Sequence, residues 1–212
     1  MIKLVIFDCD GVLVDSEPTT LKVIAGSLSR HGLQMTAHDV EQNFVGRALK
    51  DLGKAAQAMG ADLPADWTEQ IYTTMFDELR KGVDVIDGII PLLDKLQDTG
   101  IATAIVSNGP MGKMEITLSP SGLWDRFKGR IYSAHEYAPK PSPEMLLKAC
   151  DQAGVSVDEA IMIDDSVSGC MSAQAAKMRC FGFDQHGEGT HLAAVGAIPI
   201  RRISEITKAL GL

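Results

Sequence analysis

Hydrophobic residues follow two patterns along this chain: short, mostly apolar runs, and longer stretches in which they recur every three or four positions. The runs lie at residues 2–7, 101–106, 160–163 and 178–183, with weaker ones at 130–133 and 198–200. Short apolar runs bounded by turn residues predict strands buried on both faces. Helical spacing fills the intervals, at 89–97, 111–119, 143–153, 167–176 and 204–210. Boundary residues agree with these limits. Gly100 closes the first of these helices, Ser142-Pro143 opens the third, and Ser156 with Glu159 has capping-box spacing ahead of the run at 160–163. Strands alternating with helices predict an α/β fold: a Rossmann-like parallel sheet with helices on both faces.

One block breaks the alternation. Asp15-Ser16-Glu17-Pro18 opens a helix that carries Leu21, Ile24, Ala25 and Leu28 and ends at Gly32. From 36 to 81 the pattern is helical throughout, in patches at 37–43, 48–59 and 65–80 broken by Gly46, Gly60 and Pro64. Thr36 with Asp39 forms a cap at its start. The predicted organisation is therefore a core built from 1–14 and 83–212, with a small all-helical insert, 15–82, after the first strand.

Composition narrows the class. The chain has 212 residues, 45% hydrophobic and 23% charged, enough for a sizeable core. A net charge of −8 argues against nucleic acid or an acidic membrane surface as partner, but leaves room for a small anion met by a local cluster of cations. No apolar run is long enough to span a bilayer, and Asp8 interrupts the N-terminal run too early for a signal-peptide core. The expected location is cytoplasmic. Cys9, Cys150, Cys170 and Cys180 show no metal or CxxC spacing and read as small, reduced, buried residues. No interface pattern stands out, so the expected state is monomer or dimer.

Candidate chemistry sits where the strands end. In open α/β sheets, ligands bind outside the carboxyl ends of the strands. Asp8 and Asp10 follow the first run, Ser107 and Asn108 the second, Asp164 and Asp165 the run at 160–163, and Lys140 heads the helix before it. Alone, each is an ordinary turn or loop residue; together they put acid groups, donors and a cation on one rim. Asp8, Asp10, Asp164 and Asp165 form a hard-oxygen set suited to Mg²⁺, which is usually shared with a phosphate. No His or Cys accompanies them at zinc-ligand spacing. Ser107, with the backbone N–H groups of Asn108 and Gly109, supplies donors for a phosphate, and Lys140 supplies charge.

In order and spacing, Asp8-Cys9-Asp10-Gly11-Val12, Val106-Ser107-Asn108, Lys140-Pro141-Ser142-Pro143 and Ile163-Asp164-Asp165-Ser166 resemble the four motifs of the haloacid dehalogenase-like hydrolase superfamily. The helical block resembles the cap of its phosphoglycolate phosphatase and β-phosphoglucomutase-like subgroup. Ser107-Asn108-Gly109-Pro110 with Lys113-Met114 is most similar to the bacterial sugar-phosphate phosphatases.

The resemblance implies a Mg²⁺-dependent phosphatase acting on a small phosphorylated metabolite, a sugar phosphate or phosphorylated sugar acid. Asp8 would be the nucleophile and Asp10 the acid and base. Ser107, Lys140 and Asn108 would bind the phosphate, with Asn108 alternatively orienting Asp8. Asp8, the Asp10 carbonyl, Asp165 and Asp164 would serve the metal, Asp164 directly or one shell out. Phe44-Val45-Gly46-Arg47 resembles the subgroup's specificity loop, so Arg47, Glu17, Gly46 and Lys50 are the candidate substrate contacts in the cap.

Other reactions of the superfamily fit less well. Dehalogenases lack an aspartate at the position of Asp10. Mutases of the subgroup carry a hinge histidine where this chain has Thr19 and Thr20. A phosphorylatable receiver or metal-binding module without turnover is the reading from another class; receivers lack a helical insert after the first strand.

Overall fold

The computed structural model describes residues 1–44 and 49–212. Its strands are β1 (Leu4–Phe7), β2 (Val14–Asp15), β3 (Asp84–Val85), β4 (Ala102–Ser107), β5 (Ile131–Ser133), β6 (Ala160–Asp164), β7 (Arg179–Phe183) and β8 (Ile198–Ile200). The helices are α1 (Glu17–Arg30), α2 (Ala37–Phe44), α3 (Leu49–Ala58), α4 (Trp67–Leu79), α5 (Ile89–Asp98), α6 (Met111–Leu118), α7 (Leu123–Phe127), α8 (Glu144–Ala153), α9 (Val167–Ala175), α10 (Thr190–Ala193) and α11 (Ser204–Leu210). Contacts divide the chain into two units, Met1–Asp15 with Asp84–Leu212, and Ser16–Val83.

The larger unit is the expected Rossmann-like fold. Six strands run parallel in the order β5-β4-β1-β6-β7-β8. β1 is central because every one of its side chains is buried, which only an interior strand needs. Period-2 alternation divides its residues between the two faces. Leu4 and Ile6 join Ala104, Val106, Ala160 and Met162 in a core with Met145 and Ala149 of α8 and Cys170 and Ala173 of α9. Phe7 points the other way, edge-on to Phe127 of α7 with ring centroids 5.9 Å apart. The chain builds β4 and β5 to one side of β1 and β6, β7 and β8 to the other. That reversal opens a crevice at the carboxyl ends of β1, β4 and β6. Phe7 pairs in register with Ile105 and Ile163, so the residues just beyond all three share one rim.

Four short elements escape the sequence pattern. Val14 and Asp15 pair antiparallel with Val85 and Asp84, a ladder too short to show any periodicity. α7 and α10 are a turn or so each, also below the length at which helical spacing can be read. The helix expected from 143 begins at Glu144, with Pro143 as its cap residue and the Ser142 hydroxyl accepting from the Glu144 N–H at 3.3 Å.

The smaller unit consists of α1 to α4 among the described residues. Its core gathers Ile24 and Leu28 of α1, Val40 and Phe44 of α2, Leu52 and Ala56 of α3, and Trp67 and Ile71 of α4. The buried Trp67 indole N–H donates to the Ser27 hydroxyl at 3.0 Å, which satisfies its polar end. Gly53 lets the Trp67 ring come close; a β-carbon there would lie 3.1 Å from it. The Thr36–Asp39 cap forms in both directions, Asp39 N–H to Thr36 Oγ1 at 3.1 Å and Thr36 N–H to Asp39 Oδ2 at 2.8 Å.

Candidate active site

Asp8 is the first residue beyond β1, and its N–H donates to the Ile163 carbonyl of β6 at 2.9 Å, so its backbone is fixed as part of the sheet. The chain then turns sharply: Leu13 N–H donates to Cys9 O at 2.9 Å and Gly11 N–H to Val14 O at 2.8 Å. Gly11 has φ +78°, and a β-carbon there would overlap the Asp165 carboxylate. Glycine is therefore needed twice over, for the backbone angle and for the close approach of Asp165.

Lys140 lies at the centre. Its Nζ is 2.8 Å from Asp8 Oδ1, 2.8 Å from Asp164 Oδ2 and 3.3 Å from the Val106 carbonyl, so all three of its donors are used. Its side chain is only 3% exposed. Asn108 sets the backbone beneath it: Lys140 N–H donates to Asn108 Oδ1 at 2.7 Å, and Asn108 Nδ2 donates back to the Lys140 carbonyl at 3.1 Å. Both the oxygen and the nitrogen of the Asn108 amide thus meet the Lys140 backbone.

Asp164 is fully buried, and its other oxygen, Oδ1, accepts from the Ser166 N–H at 2.9 Å and the Ser166 hydroxyl at 2.6 Å. Ser166 in turn caps α9 by accepting from Gly169 N–H at 3.0 Å. Asp164 is thus braced on both sides by protein groups. Ser107, 2% exposed, accepts from Gly109 N–H at 3.1 Å, and Ser133 at the end of β5 donates to the Gly109 carbonyl at 2.8 Å. These bonds shape the loop after β4 around the Ser107 hydroxyl.

Ligand oxygens of Asp8, Asp164 and Asp165 all lie within 4.8 Å of one another. Among the described residues, one ammonium, Lys140, meets these three carboxylates, a deficit of two positive charges when all are ionised. The electrostatics follow. Burial, together with Asp164 and Asp10 and against the pull of Lys140, raises Asp8 to about 6. Burial, then Asp8 and Asp164, raise Asp165 to about 8. Burial alone would lower Lys140, but Asp8 and Asp164 outweigh it and hold its ammonium above the ordinary range. An all-oxygen donor set with two uncompensated negative charges fits a hard divalent cation.

Asp10 stands beside this cluster. Its Oδ2 is 2.8 Å from Nζ of Lys113 on α6. The sequence pattern had given Lys113 no role; its signal is a lysine in the first turn of the helix that follows the Ser107 loop. Ser133 and Ser166 were likewise given no role, being an ordinary strand-end serine and an ordinary helix-cap serine until their partners are known. In the smaller unit, Glu17 is the exposed first residue of α1 and Lys50 is exposed on α3. Arg47 and Gly46 lie outside the described residues. Among the described residues, no helix is long and apolar enough to cross a membrane.

A parallel sheet with aspartates after its central strand and a buried lysine joining two of its strand ends defines a class, and the comparisons agree with it. The chain belongs to the haloacid dehalogenase-like hydrolase family, whose model matches residues 5–183. It is 27% identical to the 6-phosphogluconate phosphatase of Escherichia coli, over 99% of this chain and 96% of that protein. It is 28% identical to a phosphoglycolate phosphatase of Psychrobacter arcticus, over 85% of this chain and 82% of that protein. A crystal structure of a family hydrolase from Deinococcus radiodurans, with bound phosphate and sodium, superimposes with a TM-score of 0.86 at 27% identity, covering 99% of this chain and 95% of that one. The protein is accordingly an enzyme, a phosphoric monoester hydrolase of the haloacid dehalogenase-like type.

Proposed function

We propose that this enzyme is a Mg²⁺-dependent phosphatase that hydrolyses a small phosphorylated sugar or sugar acid through an aspartyl-phosphate on Asp8. The observation that carries the reading is the buried Lys140, bridging Asp8 and Asp164 at 2.8 Å each within a cluster two positive charges short. Asp8, Asp165, the Asp10 carbonyl and, directly or one shell out, Asp164 are the groups that would hold Mg²⁺. When bound, the ion supplies charge neutralisation for the phosphoryl oxygens and lets the carboxylates stay ionised.

The chain's own residues then divide the work. An Asp8 carboxylate oxygen attacks phosphorus, and the bond from phosphorus to the leaving alkoxy oxygen breaks. Asp10 gives its proton to that oxygen, which departs as the alcohol. Ser107, the N–H groups after it and Lys140 stabilise charge on the transferring phosphoryl group. Water next attacks the phosphorus of the aspartyl-phosphate and gives a proton to Asp10, and phosphate leaves Asp8 free. Thr19 and Thr20, in place of the mutase-type histidine, support transfer to water. Residues 15–82 are proposed as a cap that excludes bulk water and selects the substrate through Glu17, Arg47 and Lys50. The names of the curated relatives support sugar-acid and other small metabolite phosphates as the class to test first.

The test is phosphate release from a panel of phosphate monoesters with Mg²⁺, with EDTA, and with Asp8→Asn. Metal-dependent turnover absent from Asp8→Asn supports the proposal, and the ranking of the panel identifies the substrate class. Folded protein that releases phosphate from no ester would refute it.

A further inference from the structure

α6 begins immediately after the phosphate-binding loop, and its first turn delivers one side chain back to the catalytic strand end. Lys113 N–H donates to the Pro110 carbonyl at 3.0 Å, and the Lys113 carbonyl accepts from the Thr117 hydroxyl at 3.1 Å, so its backbone is fixed on both sides. From there Nζ reaches Asp10 Oδ2 at 2.8 Å. The pair is partly shielded, with 20% of the lysine and 30% of the aspartate side chain exposed. Gly109 lies alongside: a β-carbon on it would be 3.8 Å from Asp10 Oδ2 and 3.4 Å from the Ser107 hydroxyl. Asp10, Ser107 and the root of α6 therefore converge on one point. Asp10 lies in the turn beyond β1, in an isolated bridge to Val14 outside the six-stranded sheet.

We propose that Lys113 is the positioning residue for Asp10: its ammonium fixes the carboxyl group where the proton passes to the leaving oxygen. This rests on the phosphatase reading above. The bookkeeping of that step is unchanged. The Asp10 proton goes to the alkoxy oxygen as its bond to phosphorus breaks, and Lys113 keeps all of its own protons. Loss of Lys113 leaves the attack by Asp8 intact and misplaces the acid. The defect must then scale with how much the leaving group needs a proton.

The experiment compares kcat/KM for an alkyl phosphate, such as a sugar phosphate turned over by the wild type, with that for p-nitrophenyl phosphate. An alkoxide needs protonation to leave; p-nitrophenolate does not. Because release of the alcohol or phenol ends the first irreversible stage, kcat/KM reports the acid step and excludes the later hydrolysis. Lys113→Met is expected to lower kcat/KM for the alkyl ester by about 10-fold or more, within the range of lost general acid catalysis, and for the aryl ester by less than about 2-fold. Lys113→Arg, which keeps the ion pair, is expected to restore most of the alkyl activity. Equal losses on both esters would mean a merely structural role for Lys113, and unchanged alkyl activity would mean none; either overturns the proposal. Wild-type protein that hydrolyses neither ester would overturn the phosphatase reading and this proposal with it.

Discussion

The ammonium of Lys140 and the carboxylate of Asp8 stand 2.8 Å apart with almost no access to water, 3% and 11% exposed respectively. The same ammonium meets Asp164, which is fully buried. Removing the ammonium leaves the carboxylates around it uncompensated in a medium that solvates charge poorly. Lys140→Met is therefore expected to lower the stability of the metal-free protein by about 3–5 kcal/mol near neutral pH. It is also expected to reduce kcat/KM by at least about 100-fold through lost stabilisation of phosphoryl charge. Asp8→Asn should do the opposite to stability, since it removes one of the crowded carboxylates while abolishing turnover. Urea unfolding in EDTA, beside steady-state assays, reads both. Equal stability of the two variants would contradict this account of the cluster.

Gly169 and Asp164 make a sharper test, because helix propensity and packing predict opposite signs. Gly169 lies within α9, where alanine would ordinarily stabilise by about 1 kcal/mol. A β-carbon at this position would overlap the Asp164 carboxylate. That carboxylate is tied to Lys140 and Ser166 and has nowhere to move. Forcing it aside is expected to cost about 1–3 kcal/mol, enough to cancel or exceed the helix gain, and to lower activity by displacing Lys140. A Gly169→Ala protein that melts higher than wild type with full activity would show that the approach is not tight.

Stability of the metal-free protein should fall as pH rises. Asp8 is raised to about 6 and Asp165 to about 8 from an ordinary value of 3.8. Across that window the folded protein holds protons that the unfolded chain has lost, so unfolding releases protons and is favoured by alkali. The decline should begin near pH 4 and level off above pH 8. A divalent cation must displace those protons in acid but not in alkali, so the rise in Tm on adding Mg²⁺ should be larger at pH 8 than at pH 5. Melting curves with EDTA and with Mg²⁺ at both values measure this. A larger Mg²⁺ effect at pH 5 would contradict it.

In the helical unit, the Trp67 indole N–H has the Ser27 hydroxyl as its buried acceptor. Ser27→Ala leaves that donor buried and unpaired, an expected loss of about 1–3 kcal/mol, with no direct effect on the catalytic aspartates. Denaturant unfolding followed by tryptophan fluorescence, compared with kcat on p-nitrophenyl phosphate, separates the two effects. Unchanged stability would show that the indole finds another partner.

How much of this was readable beforehand depends on whether a feature is local. The strands were legible because each is an apolar run complete within a few residues, and the rim because each acidic or polar group directly follows its strand. Asn108's grip on Lys140 was not legible, because it joins positions 32 residues apart through a backbone whose course no local pattern encodes. The same holds for Lys113 and Asp10, which are 103 residues apart and meet only because β1 and β4 are neighbours. The Val14–Val85 ladder, where the core chain leaves and returns, is too short to carry a signal at all. Of the cap candidates, Glu17 and Lys50 belong to a separate unit from Asp8, so no strand end marks them as the rim residues are marked.

The central claim is that Asp8 carries the phosphoryl group. The most direct measurement is to acid-quench the enzyme during turnover, reduce it with borohydride, and map the result by peptide mass spectrometry. An aspartyl-phosphate is reduced to homoserine, whereas a free carboxylate is not. The account predicts homoserine at position 8, dependent on substrate and Mg²⁺ and absent from Asp8→Asn. Steady turnover with no modification at Asp8 under these conditions, or wild-type rates in Asp8→Asn, would contradict it.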